Sequence, residues 1–135
     1  FDWLKNKEER AYVLVLKESG RVIGNLTVYN RGYDAEEHPE IAHLKGFGLS
    51  FGISNQYKRQ GLIYEAVSAV IDRLFEEENA DYIAAGHFTY NIPSRELQKK
   101  LGFQQYFREH FDLFGEVVES MENILLKEDW ETSRT

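Results

Sequence analysis

Gln56-Tyr57-Lys58-Arg59-Gln60-Gly61-Leu62-Ile63-Tyr64-Glu65-Ala66 lies between an apolar, strand-like run (residues 49–53) and a strongly amphipathic helical stretch. A strand that ends in a short basic turn with one glycine and then starts a helix presents backbone N–H groups that no intrahelical carbonyl takes up. With the positive end of the helix dipole they make an anion site suited to a phosphate or pyrophosphate. Taken alone, the stretch also fits an ordinary strand-to-helix turn, because neither Walker-type nor Rossmann-type glycine spacing is present. The rest of the chain decides between the two.

The 135 residues suffice for one domain with a real core and not for two, so a single domain over residues 1–135 is expected. A hydrophobic content of 42% with 14% aromatics is that of a globular chain. A net charge of −7 argues against wholesale binding to nucleic acid or to an anionic membrane. A polyanionic ligand must then be held by backbone dipoles and a few cations such as Lys58 and Arg59. Cysteine is absent, which removes disulfides, thiolate metal sites and a cysteine nucleophile, and an intracellular, cytoplasmic location fits. No apolar run approaches a membrane span and no signal peptide is visible. The chain begins at Phe1 rather than Met, so an N-terminal piece is expected to be missing.

Residues 1–10 read as a charged helix tail or linker, 11–17 as a strand, 18–21 as a hairpin turn and 22–29 as the returning strand. An acidic, histidine-containing loop (Asp34, Glu36, Glu37, His38, Glu40, His43) leads to the strand at 49–53. Residues 61–78 predict a helix, with Leu62, Ala66, Val67, Val70, Ile71, Leu74 and Phe75 on one stripe and a solvated acidic end at Glu76, Glu77 and Glu78. Residues 81–88 read as a strand parallel to 49–53, since a helix crosses between them. A shorter helix opens at Pro93 or Ser94 and stops at Gly102. Residues 103–111 and 121–126 read as antiparallel strands joined by a loop around Gly115. The sum is a mixed sheet with helices packed on it.

Several segments, in this order, resemble the GNAT acetyltransferase superfamily, and within it the RimJ/RimL-like branch. Val22-Ile23-Gly24 resembles that branch's V-I-G signature. Lys58-x-x-Gly61-x-Ile63 with Glu65-Ala66-Val67 is similar to the acyl-CoA pyrophosphate loop and the helix start after it. Asn91-Ile92-Pro93-Ser94 with Lys100-Leu101-Gly102-Phe103 resembles the branch's Asn-x-x-Ser…Lys-x-Gly-Phe segment, and Leu125-Leu126-Lys127-Glu128-Asp129-Trp130 looks like its last strand. The resemblance runs from residue 22 to residue 130. It implies an α+β fold of mixed α/β type: a twisted mixed antiparallel/parallel sheet, its central parallel strands splayed, with flanking helices. The family's opening strand and two helices, which wall the acceptor groove, have almost no counterpart before Ala11. The pattern departs at Lys58, where Arg or Gln is usual, and at Ile63, where a small residue is usual; main-chain amides that bind phosphate tolerate both changes.

The resemblance implies direct attack by an amine on the cosubstrate acetyl-CoA, with no acyl-enzyme and no metal. Phe51, Gly52 and Ile53 would offer main-chain groups to the pantetheine and to the developing oxyanion, while Lys58, Arg59, Gln60, Gly61, Leu62, Ile63 and Tyr64 would hold the pyrophosphate. Asn91 matches the pantetheine-binding asparagine, and is equally suited to cap a helix. Ser94 matches the residue that donates a proton to the departing sulfur; otherwise it is a first-turn serine. The family's common tyrosine acid is replaced by Gln98, and the usual carboxylate base falls near Gly48. Glu109, His110 and His87 remain as candidate bases, Glu109 foremost, against the plainer reading of solvated or satisfied side chains. The four histidines lack zinc spacing.

Without a strong base, a low-pKa amine is the better acceptor: at pH 7 about 10–15% of an α-amine is neutral, against less than about 0.1% of a lysine. A protein N-terminus or a small-molecule amine is therefore expected as acceptor. The sequence leaves the oligomeric state open; an exposed splayed sheet without its N-terminal wall is compatible with a homodimer. A non-catalytic acyl-CoA-binding or interaction domain and an antibiotic-modifying acetyltransferase are the alternatives.

Overall fold

The computed structural model describes residues 9–54 and 61–134. Six strands form one sheet in the order β1-β2-β3-β4-β6-β5, made of β1 (Glu9–Val15), β2 (Val22–Tyr29), β3 (Gly46–Ile53), β4 (Tyr82–Phe88), β5 (Gln104–Leu113) and β6 (Glu116–Leu126). All neighbours are antiparallel except β3 and β4, the pair joined through helix α1 (Leu62–Glu77). Helices α2 (Ile92–Lys100) and α3 (Lys127–Ser133) complete the fold.

One face of the sheet carries the main core. Leu26, Val28, Leu49, Ile83 and Leu125 from the strands meet Val67, Ile71, Leu74 and Phe75, the α1 stripe that the periodicity predicts. The other face is covered by residues 30–45, which include a 3-10 turn at Pro39–Ile41. Tyr82 fastens this loop to the sheet. A Cβ at Gly32 would lie 2.0 Å from the Tyr82 hydroxyl, and one at Gly46 2.2 Å from Tyr82 Cζ, so the phenol passes between two residues that must lack side chains. Its hydroxyl accepts the Tyr33 N–H at 2.9 Å.

Four expectations need correction. The third strand starts at Gly46 rather than Leu49, its opening residues disguised by two glycines, of which Gly46 makes room for Tyr82. The last two strands are longer than expected and meet in a two-residue turn, Phe114 (φ 52°) and Gly115 (φ 84°), where both residues take the left-handed conformation that matches strand twist. The closing segment read as a last strand leaves the sheet after Leu126 and becomes α3. There Trp130 stacks on Phe75 with ring centroids 4.8 Å apart and donates Nε1–H to Asp72 at 2.7 Å, contacts that outweigh the strand-like look of the sequence. The acidic end of α1 is not simply solvated: Glu78 pairs with Arg10 at 2.8 Å, and its carbonyl accepts Lys45 Nζ at 2.8 Å.

Candidate active site

The site begins where the sheet comes apart. The β3–β4 ladder runs from Gly46↔Tyr82 to Leu49↔Ala85 and stops. Beyond it β3 continues to Ile53 paired only with β2, and β4 to Phe88 paired only with β6. Between the parted edges lies a cleft of about 410 Å³, lined by Ser50, Phe51, His87, Asn91, Ser94 and Glu122 among others. Gly52 and Ile53 continue the same strand edge. Gly24 of the V-I-G motif keeps β2 tight behind it, since a Cβ there would lie 2.4 Å from the Gly52 carbonyl oxygen.

Helix α1 follows β3, whose unpaired edge bounds this opening. Gly61 is its N-cap at φ 75°, a conformation that favours glycine, and supplies no side-chain cap. The first α-helical bond runs from the Glu65 N–H to the Gly61 carbonyl (3.0 Å), so the amides of Leu62, Ile63 and Tyr64 precede it at the positive end of the dipole. Lys58, Arg59 and Gln60 lie outside the described residues. A cation to which the sequence assigned no place here stands beside this helix start: Lys100 Nζ sits 4.2 Å from the centroid of the Tyr64 ring. In the sequence Lys100 reads as the first residue of the Lys-x-Gly-Phe segment and, with Lys99, as a basic helix end.

Helix α2 starts at the mouth of the cleft and is closed. Asn91 Oδ1 accepts the Ser94 N–H at 3.2 Å, so the capping role weighed for Asn91 is realised while the residue still borders the cleft. The Ser94 hydroxyl oxygen accepts Gln98 Nε2–H at 3.2 Å, which leaves its own proton to point elsewhere. Gln98, only 1% exposed, also donates to the Gly86 carbonyl at 2.9 Å and accepts from Asn123 Nδ2 at 2.6 Å. Gln98 thus locks the serine to the floor of β4. Asn123 Nδ2 lies 3.1 Å from His87 Nδ1, which accepts as a neutral ring. Burial pushes the His87 pKa down, and nearby Arg95 adds to this against a hydrogen bond with Gln98. His87 borders the cleft, but its Nδ1 is spent on Asn123.

A second, larger cleft of about 640 Å³ opens on the loop-covered face, bordered by Tyr33, Asp34, Glu37, Glu109 and Glu122, with Arg31 as its cation. Its aromatic wall is Tyr33 over Phe107 (5.0 Å) and His38 over Phe107 (4.3 Å). Of the acidic loop, Asp34 and Glu37 face this cleft, whereas Glu40 is taken by the Tyr106 hydroxyl and lies 3.7 Å from His38. Glu109 reaches the cleft through a bulge at Tyr106, which shifts the register so that Phe107 opposes Glu122 and Glu109 opposes Ser120. His110 points away, exposed and 3.2 Å from Glu119.

Glu122 is the residue that sequence reading missed. It stands half-buried between the two clefts, opposite Gly86 on β4. Burial first, then the charge of Glu109, pushes its carboxyl pKa up, and a hydrogen bond from Ser120 opposes them. An acid in the row Ser120, Glu122, Ile124 is unusual for an inward-facing strand, and that was the available signal. Among the described residues no group of three or more His, Cys, Asp or Glu side chains is placed to hold a metal ion.

Comparison with known proteins supports the same reading. A family model described as an acetyltransferase (GNAT) domain matches residues 1–104. The chain is 26% identical over 130 residues to the uncharacterized N-acetyltransferase YnaD of Bacillus subtilis (strain 168), covering 93% of this chain and 71% of that protein. The ribosomal-protein-S5-alanine acetyltransferase from Vibrio fischeri superposes with a TM-score of 0.77 at 20% identity, covering 96% of this chain and 67% of that one. A spermidine N-acetyltransferase, SpeG, from Vibrio cholerae superposes with a TM-score of 0.80 at 14% identity, covering 99% of this chain and 75% of that one. Likeness at these identities concerns the fold alone. With a family model over most of its length, the chain belongs to the GNAT acetyltransferase family.

Proposed function

We propose that this chain is an acetyl-CoA-dependent N-acetyltransferase of RimJ/RimL-like type, acting on a primary amine that is either a protein N-terminus or a small molecule. The observation that carries the proposal is the parting of β3 and β4 after Leu49↔Ala85, with an uncapped helix start at Gly61 following β3 and the Asn91–Ser94 cap following β4. The residues present fit a CoA thioester. Free strand edge at 51–53 suits an extended pantetheine, and the α1 amides with Lys100 suit a pyrophosphate. Acetyl-CoA supplies an activated acetyl group as a thioester. Main-chain N–H groups of Phe51 and Ile53, which alternate with the Gly52 and Ser54 amides turned to β2, would stabilise charge developing on the carbonyl oxygen. Ser94, held by Asn91 and Gln98, would give its hydroxyl proton to the departing sulfur.

The second cleft carries four carboxylates, Asp34, Glu37, Glu109 and Glu122, against Arg31, a balance that suits a cationic amine. The proposal takes residues 1–135 as one cytoplasmic domain that assembles as a homodimer, which sedimentation and cell fractionation check. Among the described residues no helix is long and apolar enough to cross a membrane. Isothermal titration with acetyl-CoA, using ATP and desulfo-CoA as controls, tests the cosubstrate. Saturable binding with ATP much weaker is expected, followed by thiol release in the presence of an alanine-initiated peptide or spermidine. Binding without any thiol release would favour the non-catalytic acyl-CoA-binding alternative, and absence of binding would overturn the proposal.

A further inference from the structure

The parted sheet has two openings, and among the described residues one side chain borders both. Glu122 lines the narrow cleft between β3 and β4 together with Ser94, and the acidic cleft on the loop-covered face together with Glu109. Its position depends on a missing side chain. A Cβ at Gly86 would lie 1.9 Å from Glu122 Oε2 and 2.9 Å from its Cδ, so the carboxylate rests on β4 where glycine leaves room. Ser120 Oγ donates to Glu122 Oε1 at 3.4 Å, a long bond that holds the group loosely. Ionisable groups that share its clefts are Glu109 from β5, His87 from β4, and Arg31, Tyr33, Asp34, Glu37 and His38 from the loop; β3 offers none.

We infer that Glu122 is the general base of this acetyltransferase, taking a proton from the acceptor amine that enters by the acidic cleft. This rests on the acetyl-transfer reading above. The other candidates are placed worse: Glu109 borders the acidic cleft alone, His87 spends Nδ1 on Asn123, and His110 faces solvent beside Glu119. The protonated acceptor gives one proton to the Glu122 carboxylate and keeps its lone pair. Its nitrogen then bonds to the acetyl carbonyl carbon while the carbon–sulfur bond breaks. The further proton lost by nitrogen balances the one that the sulfur receives, and the proton on Glu122 leaves to solvent through the open cleft. Burial and the Glu109 charge both make Glu122 a better proton acceptor than a solvated glutamate.

The test compares wild type with E122Q and E109Q. The kcat/KM profile over pH is measured with whichever of an alanine-initiated peptide and spermidine turns over faster. In parallel, the Glu122 carboxyl 13C shift is titrated in the ligand-free protein, acetyl-CoA affinity is taken by calorimetry, and Tm is measured. E122Q should lose about 100-fold or more in kcat, with unchanged acetyl-CoA affinity. Its Tm at neutral pH should be no lower than wild type, because a carboxylate with a raised pKa costs the fold stability once ionised. In E109Q, removal of the neighbouring charge should move both the acid limb of the profile and the Glu122 titration to lower pH. Wild-type kcat in E122Q, a Glu122 carboxyl that titrates as an exposed glutamate, or a kcat loss accompanied by a fall in Tm overturns this assignment while acetyl transfer stands. A wild-type chain that neither binds acetyl-CoA nor releases thiol overturns the acetyltransferase reading itself, and the assignment with it.

Discussion

Helices α1 and α2 follow the two parted strands, β3 and β4, and their first turns are built in opposite ways. At α2, Asn91 turns its side chain back to accept the Ser94 N–H, and that bond orients the serine. At α1 the capping position is Gly61, which has no side chain to turn back. The donors and the dipole are the same in both places. What differs is the residue at the N-cap, and with it whether the amides are used within the chain or left for a ligand. Leaving them open is cheap, since glycine in place of a good cap loses only about a few tenths of a kcal/mol. A closed helix start can position a side chain, whereas an open one can bind an anion.

The largest effect should come from blocking the open terminus. Gly61→Val forces a β-branched residue into the left-handed region at φ 75°, a strain of about 1–2 kcal/mol, and turns the first amides away from the cleft. Acetyl-CoA affinity should fall about 100-fold, the loss of one or two charge-assisted hydrogen bonds, while circular dichroism shows the fold retained. Gly61→Asn, which tolerates that conformation, should lose less. Retained wild-type affinity in the valine variant would end the distinction between the two termini.

Next comes the group that the closed terminus holds. Ser94→Ala should lower kcat by about tenfold or more with little change in acetyl-CoA affinity, if protonation of the leaving sulfur limits the rate. An unchanged kcat, with chemistry shown to be rate-limiting, would remove Ser94 from the mechanism. Asn91→Ala should cost about 1 kcal/mol of stability through the lost cap, read as a lower urea midpoint at constant m. It should also lower kcat in the same direction as Ser94→Ala, because the serine amide loses its anchor. A stability loss with no kinetic effect would separate capping from positioning.

The smallest effect concerns the polar floor beneath α2. His87 is 8% exposed, with its pKa held below the ordinary 6.5 chiefly by burial. Above that value the ring is neutral in the folded and the unfolded chain. As pH falls below 6.5, the unfolded chain takes up a proton that the folded chain resists, so stability declines through the window down to the folded pKa. His87→Gln should flatten this decline in urea unfolding measured between neutral and mildly acidic pH. An unaltered slope would show that other groups carry it.

The α1 stripe, the strand at 22–29 and the stop at Gly102 were all legible, because each is written in local periodicity or in a residue with special backbone freedom. Ser94 and Asn91 were legible as a pair for the same reason, their bond spanning one helical turn. Less visible were the links between distant segments. Gln98 reads as a missing tyrosine until it is seen bonded to Gly86, Ser94 and Asn123. Gly46 reads as a loop residue until Tyr82 is seen lying across it. Glu109 faces the acidic cleft only because the bulge at Tyr106 shifts every later residue of β5 by one place, and a bulge leaves no fixed mark in composition.

Local sequence by itself determined the elements, the open helix start at Gly61 and the capped one at Asn91, since backbone preference and capping act over a few neighbouring residues. It did so for most of the chain without reference to anything distant. Tertiary structure alone decided where β3 and β4 part and that the final segment is a helix held by Trp130. It also decided that Glu122 lies over Gly86 between two clefts. Strand register and packing join residues far apart in the chain, and a one-residue change of register turns a side chain to the opposite face.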